Sequence, residues 1–140
     1  TQKSFRLILL DLNELKHIND TYGHNQGDEA IRLVFNAMKT GFVQGKNYRI
    51  GGDEFAVLIE DVDAIRFKDC LDNFQSILNE TTKDFLYPIL VAVGSDVYHY
   101  GDWDNYSRFY HHVDQKMYLI KRKSRIRKNR AGRSIFVTIL

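Results

Sequence analysis

The sequence predicts an α+β fold: a mainly antiparallel sheet with helices on one or both of its faces. Three observations carry that prediction. Apolar runs of strand length alternate with stretches whose apolar residues recur at helical spacing. Their order is strand, helix, strand–strand hairpin, helix, strand, helix, strand, which contains a βαββαβ core of ferredoxin-like type. The length of 140 residues, with 44% apolar, 27% charged and one proline, suits a single folded domain with a substantial core.

Residues 5–10 are an apolar run ending at Asp11, the length of a buried strand. Residues 13–27 are polar and punctuated by Gly23 and Gly27, with a short helix in the middle. From Asp28 the pattern turns helical, because Ile31, Val34, Phe35 and Met38 fall at i, i+3, i+4 and i+7. Asp28 and Glu29 suit a helix N-terminus, and Gly41 and Gly45 close the segment. A hairpin follows at about residues 47–60. Phe67, Cys70, Leu71, Phe74, Ile77 and Leu78 lie on one stripe of a second helix. Pro88 opens a β-branched strand at 89–94. Tyr106, Phe109, Tyr110, Val113, Met117 and Ile120 mark a third helix within 103–121, and residues 134–140 read as a last strand. The aromatic residues on these stripes are expected in the core.

Composition narrows the function classes. No apolar stretch approaches the roughly 20 residues that span a bilayer, and no signal-peptide pattern opens the chain. The single cysteine, Cys70, excludes an internal disulfide and is expected as a small core residue of a cytoplasmic protein. The domain itself is expected to make no direct membrane contact; any membrane anchor belongs to a parent protein. The net charge of +2 conceals an asymmetry: residues 121–140 carry eight Lys/Arg and no acid, leaving −6 on the rest. Such a run suggests contact with phosphate, or a solvated face. It lacks interleaved aromatics, so no nucleic-acid partner is expected.

The most informative segment is Gly51-Gly52-Asp53-Glu54-Phe55, set between two strand-like runs. The glycines permit tight-turn angles and close approach to the backbone, and the turn carries two acids. In a βαββαβ sheet the first strand lies beside this hairpin, so Asp11 at its end can face Asp53 and Glu54. Three such oxygen ligands with a nearby backbone carbonyl suit Mg²⁺. His111 and His112 are adjacent on a helix and point apart, so they are not expected to bind metal. There is no phosphate loop of the Walker type. Lys16, Lys121 and Arg125 are cations that, with a metal site, could clamp a triphosphate. Asn19 and Asp28 have groups able to read guanine, but taken alone they read as a turn residue and a helix-start acid.

These residues together resemble the GGDEF family, the catalytic domain of bacterial diguanylate cyclases. The pentapeptide 51–55 is its signature. The family's Asp-x-Asp-x-Phe-Lys-x-x-Asn-Asp segment stands here as residues 11–20, continuing through Tyr22-Gly23-His24 to Gly27-Asp28. Its late Ala-Asp-x-Ala-Leu-Tyr-x-Ala-Lys-x-x-Gly-Arg element stands as residues 113–125. The resemblance implies a fold similar to nucleotidyl cyclase and polymerase palm domains. It implies that Asp11, the Leu12 carbonyl and Asp53 hold Mg²⁺, with Mn²⁺ as an alternative. Glu54 would serve the metal site or deprotonate the attacking hydroxyl. Asn19 and Asp28 would read guanine, and Lys16, Lys121 and Arg125 would hold phosphates. Two GTP molecules would be joined into cyclic di-GMP with loss of two pyrophosphates, in a homodimer with one GTP per copy.

The chain departs from the family's pattern at several points. Asn13 replaces the second Asp, Leu15 a Phe, Ala92 a Ser and Ser124 a Gly. The product-inhibition motif Arg-x-x-Asp is absent at residues 42–45, so no product binding is expected there. The family's opening segment and first long helix are missing. The expectation is therefore one GGDEF domain over 1–140 lacking that segment, from a longer protein with a regulatory or sensor domain. A GTP-binding regulatory module without turnover is the alternative reading.

Overall fold

The first strand, β1 (Phe5–Leu12), lies between two partners in a four-stranded sheet, and the other described elements are arranged about it. The computed structural model describes residues 4–60, 63–85, 87 and 89–123, the last without its side chain. The other strands are β2 (Lys46–Arg49), β3 (Glu54–Glu60) and β4 (Val91–Tyr98). Their spatial order is β2-β3-β1-β4, and every neighbouring pair is antiparallel. The helices are α1 (Leu15–Tyr22), α2 (His24–Gly41), α3 (Ala64–Thr82) and α4 (Tyr106–Lys123). This is the predicted α+β βαββαβ arrangement. The predicted last strand, residues 134–140, lies outside the described residues.

Pleating sends alternate side chains of each strand to opposite faces. Ile8, Leu10 and Leu12, with Phe55, Val57, Val91 and Val93, pack against Val34, Met38, Phe67 and Phe74 of α2 and α3. The alternate set, Leu7, Leu9, Ala56 and Ala92, packs against Phe109, Val113, Met117 and Ile120 of α4. Helices thus cover both faces. On the α4 side the approach is close at Gly94, where a Cβ would lie 2.5 Å from the Met117 amide nitrogen. Only glycine lets the helix come down on the strand there.

Three local expectations are corrected. Helix α2 starts at His24, not Asp28, so Asp28 and Glu29 fall beyond the first turn. Gly23 makes the break, with φ of +94° and its amide donating to the Asn19 carbonyl at the end of α1. Tyr106 and Tyr110 are exposed rather than in the core. The buried stripe of α4 runs through Phe109, Val113, Met117 and Ile120. Tyr110 is turned about 100° away from it, and Tyr106 rests only partly on the rings of Phe5 and Tyr98. Cys70 is half-buried, at the margin of the α2–α3 core. Among the described residues no helix is long and apolar enough to cross a membrane.

Candidate active site

Asp11 is the next residue on the α4-facing side of β1 after Leu7 and Leu9, and its register partner on β3 is Glu54. The two carboxylates therefore stand side by side on one face. Phe55, one residue on, points to the other face, is fully buried and packs near Phe35 with ring centroids 6.2 Å apart. That anchor fixes which way Glu54 faces. Just before β3, the Asp53 carbonyl accepts from the Leu12 amide at 2.8 Å, extending the ladder past the strand end. One carboxylate oxygen from each of Asp11, Asp53 and Glu54 lies within 4.8 Å of the others, the one such potential metal-holding group among the described residues. The predicted convergence of the three acids is present.

The electrostatics suit a cation. Asp11 is only 4% exposed. Its Oδ2 accepts from Lys121 Nζ at 3.1 Å, while its Oδ1 is buried without a hydrogen-bond partner. Burial pushes the Asp11 carboxyl up to about 6; the Lys121 hydrogen bond opposes this, and the charges of Asp53 and Glu54 add to it. Burial also raises Glu54, helped by the charges of Asp114 and Asp53. Crowded carboxylates with an orphaned buried oxygen are what a hard divalent ion relieves. The all-oxygen donor set argues against a softer metal.

The turn itself differs from expectation. Neither Gly51 nor Gly52 takes a left-handed φ, and a Cβ on Gly52 would meet nothing within 4 Å. The backbone does not demand glycine here; what the glycines leave is open space over the turn. The left-handed residue near the site is Glu14, at φ of +60° between β1 and α1, a conformation costly for a side chain with a Cβ.

The remaining predicted residues divide. Lys121 is on α4 and reaches the acids, although sequence reasoning placed it with the phosphates. Asn19 lies against α2 because position 27 has no side chain: a Cβ on Gly27 would fall 1.7 Å from Asn19 Oδ1. That puts the amide next to the residue preceding Asp28, which is exposed. Lys16 is exposed in the first turn of α1, and neither it, Asn19 nor Asp28 lines the acid cleft. Arg125 and Ser124 lie outside the described residues. Asn13 is buried, its backbone N–H donating to the Leu90 carbonyl.

The cleft, of about 380 Å³, is lined by Asp11 and Glu54 from the sheet and by Asp114, Tyr118 and Lys121, among others, from α4. Sequence reasoning missed Asp114 and Tyr118. Their signal was spacing: 114, 118 and 121 recur at i, i+4 and i+7 and share one side of a helix.

Comparison with known proteins then decides the family. The profile described as "Diguanylate cyclase, GGDEF domain" matches residues 1–127. The chain belongs to the GGDEF family. This GGDEF domain is 32% identical over 126 residues to the probable diguanylate cyclase DgcI of Escherichia coli (strain K12), covering 89% of the chain but 27% of DgcI. The chain thus spans about a quarter of that relative's length. Its fold matches the active GGEEF domain of a diguanylate cyclase from Vibrio cholerae, with a TM-score of 0.70, 23% identity and coverage of 88% and 80%. It also matches the GGDEF domain of DgcB from Caulobacter crescentus in complex with c-di-GMP, with a TM-score of 0.71, 24% identity and coverage of 97% and 78%.

Proposed function

We propose that this GGDEF domain is a diguanylate cyclase catalytic unit that condenses two GTP molecules into cyclic di-GMP and releases two pyrophosphates. The observation that carries the reading is the meeting of Asp11, Asp53 and Glu54 across β1 and β3 within 4.8 Å. Asp11, the Leu12 carbonyl and Asp53 would hold Mg²⁺, which when bound supplies charge neutralisation at the phosphates. Glu54 faces the same cleft, and its raised proton affinity suits it to take the proton of an attacking 3′-hydroxyl. The bond formed joins that oxygen to the α-phosphorus of the other GTP, and the bond broken releases pyrophosphate. Lys121 at the cleft, with Lys16 and Arg125, would orient the phosphates. From the α1–α2 corner the Asn19 side-chain amide would donate to the guanine edge and the Asp28 carboxylate would accept from it. Positioning and charge carry such phosphoryl transfer, with little covalent work for the protein.

One cleft accommodates one GTP in this reading, so two copies must face each other. The domain works in the cytoplasm under a regulatory or sensor domain of the parent protein. The test is to fuse the chain to a dimerising coiled coil, add GTP and Mg²⁺, and quantify cyclic di-GMP by chromatography. Product is expected, and Asp53→Ala should reduce it at least about 10³-fold with the far-UV spectrum unchanged. A folded dimer that makes no product sinks the proposal.

A further inference from the structure

Among the described residues, one side chain from outside the acid set holds the signature turn: Arg49, the last residue of β2. Its Nε donates to the Gly51 carbonyl at 3.1 Å and its guanidinium Nη2 to the Gly52 carbonyl at 2.8 Å. From this we infer that Arg49 is a positioning residue: its fork fixes the peptide units of the turn and so sets where Asp53 stands relative to Asp11. The inference rests on the metal-binding role proposed for those acids.

The turn needs such a clamp. Residues 50–53 join two strands through two adjacent exposed glycines, the residues with most backbone freedom to lose. On one side the turn is tied by the amides of Ile50 and Gly51, which donate to the Glu54 carbonyl at 2.9 and 3.3 Å. The Asp53 carbonyl is tied to Leu12. The two glycine carbonyls between these anchors are engaged by Arg49. A planar guanidinium can span two successive carbonyls; a lysine ammonium is a single point of charge and cannot reproduce the pair of parallel bonds. Arg49 is itself exposed and paired opposite Phe55, so its bonds belong to the local shape of the turn rather than to the core.

The experiment measures Mn²⁺ binding to the 140-residue chain by electron paramagnetic resonance, with no nucleotide present. Arg49→Gln is expected to weaken Mn²⁺ about tenfold, the range seen when a residue orienting a metal ligand is removed. It should also speed hydrogen exchange at the Gly51 and Gly52 amides and leave exchange in β1 unchanged. Arg49→Lys, which keeps the charge and loses the fork, should recover less than half of the lost affinity. Wild-type Mn²⁺ affinity in Arg49→Gln overturns the inference. Full recovery in Arg49→Lys also overturns it, because charge alone would then explain the effect. A wild-type chain that binds Mn²⁺ at the three acids yet, fused to the dimerising coiled coil, makes no cyclic di-GMP refutes the proposed activity and leaves this inference standing.

Discussion

The two faces of the sheet are built from the same strands and end differently. Toward α2 and α3, β1 presents Ile8, Leu10 and Leu12, apolar to its last residue, and β3 presents Phe55 and Val57. Toward α4 the same strands present Leu7 and Leu9 and then Asp11, with Glu54 beside it. One face is sealed; the other opens at its end into the acid cleft. The lesson is that a period of two lets one strand serve core and site without compromise, because neighbouring residues never share a surroundings. It also makes register strict: a slip by one residue would put Asp11 in the apolar core.

Four measurements break or sharpen this contrast. The largest effect belongs to the sealed face. Leu10→Ala should cost about 2–5 kcal/mol in urea unfolding, whereas Asp11→Asn, one residue on, should leave the fold intact and remove activity. Next comes pH. Asp11 binds its proton more tightly folded than unfolded, so metal-free stability should fall as pH rises from about 4 to 6. The loss is on the order of 3 kcal/mol for a carboxyl moved from 3.8 to about 6. Thermal unfolding in chelator should reveal that slope, and Asp11→Asn should flatten it.

Gly94→Ala tests whether α4 is held against β4 at the height the cleft requires. The added methyl meets helix backbone, so about 1–3 kcal/mol should be lost together with activity, because α4 carries Lys121 and Asp114. Smallest is Glu14→Gly, which relieves a left-handed φ. It should raise stability by about 0.4–1 kcal/mol, read as a higher urea midpoint.

The strands and the three acids were legible in the sequence because their signals are local: apolar runs for β1, β3 and β4, and two acids in one turn with a third at a strand end. What escaped depended on contacts between distant residues. His24 and Asn25 are polar and look like loop, yet they begin α2 because Gly23 turns the chain. Tyr106 and Tyr110 match the helical stripe but flank the surface α4 buries. Asp114 looks like any solvated helix acid until α4 is laid on β4, which places it at the cleft. Lys121 reads as a phosphate ligand and stands 3.1 Å from Asp11, a pairing across 110 residues.

The position of β1 has a consequence for how the site moves. Its residues are paired on both sides, through Asp11 to β3 and through Leu12 to β4. Such a strand opens only when the whole domain opens, whereas an exposed turn can fluctuate alone. The acid set therefore joins a strand paired on both sides to a turn that depends on its own local bonds. Asp11 serves as the fixed datum of the site, and the turn that carries Asp53 keeps its place against it through the Arg49 bonds and the Leu12–Asp53 bond.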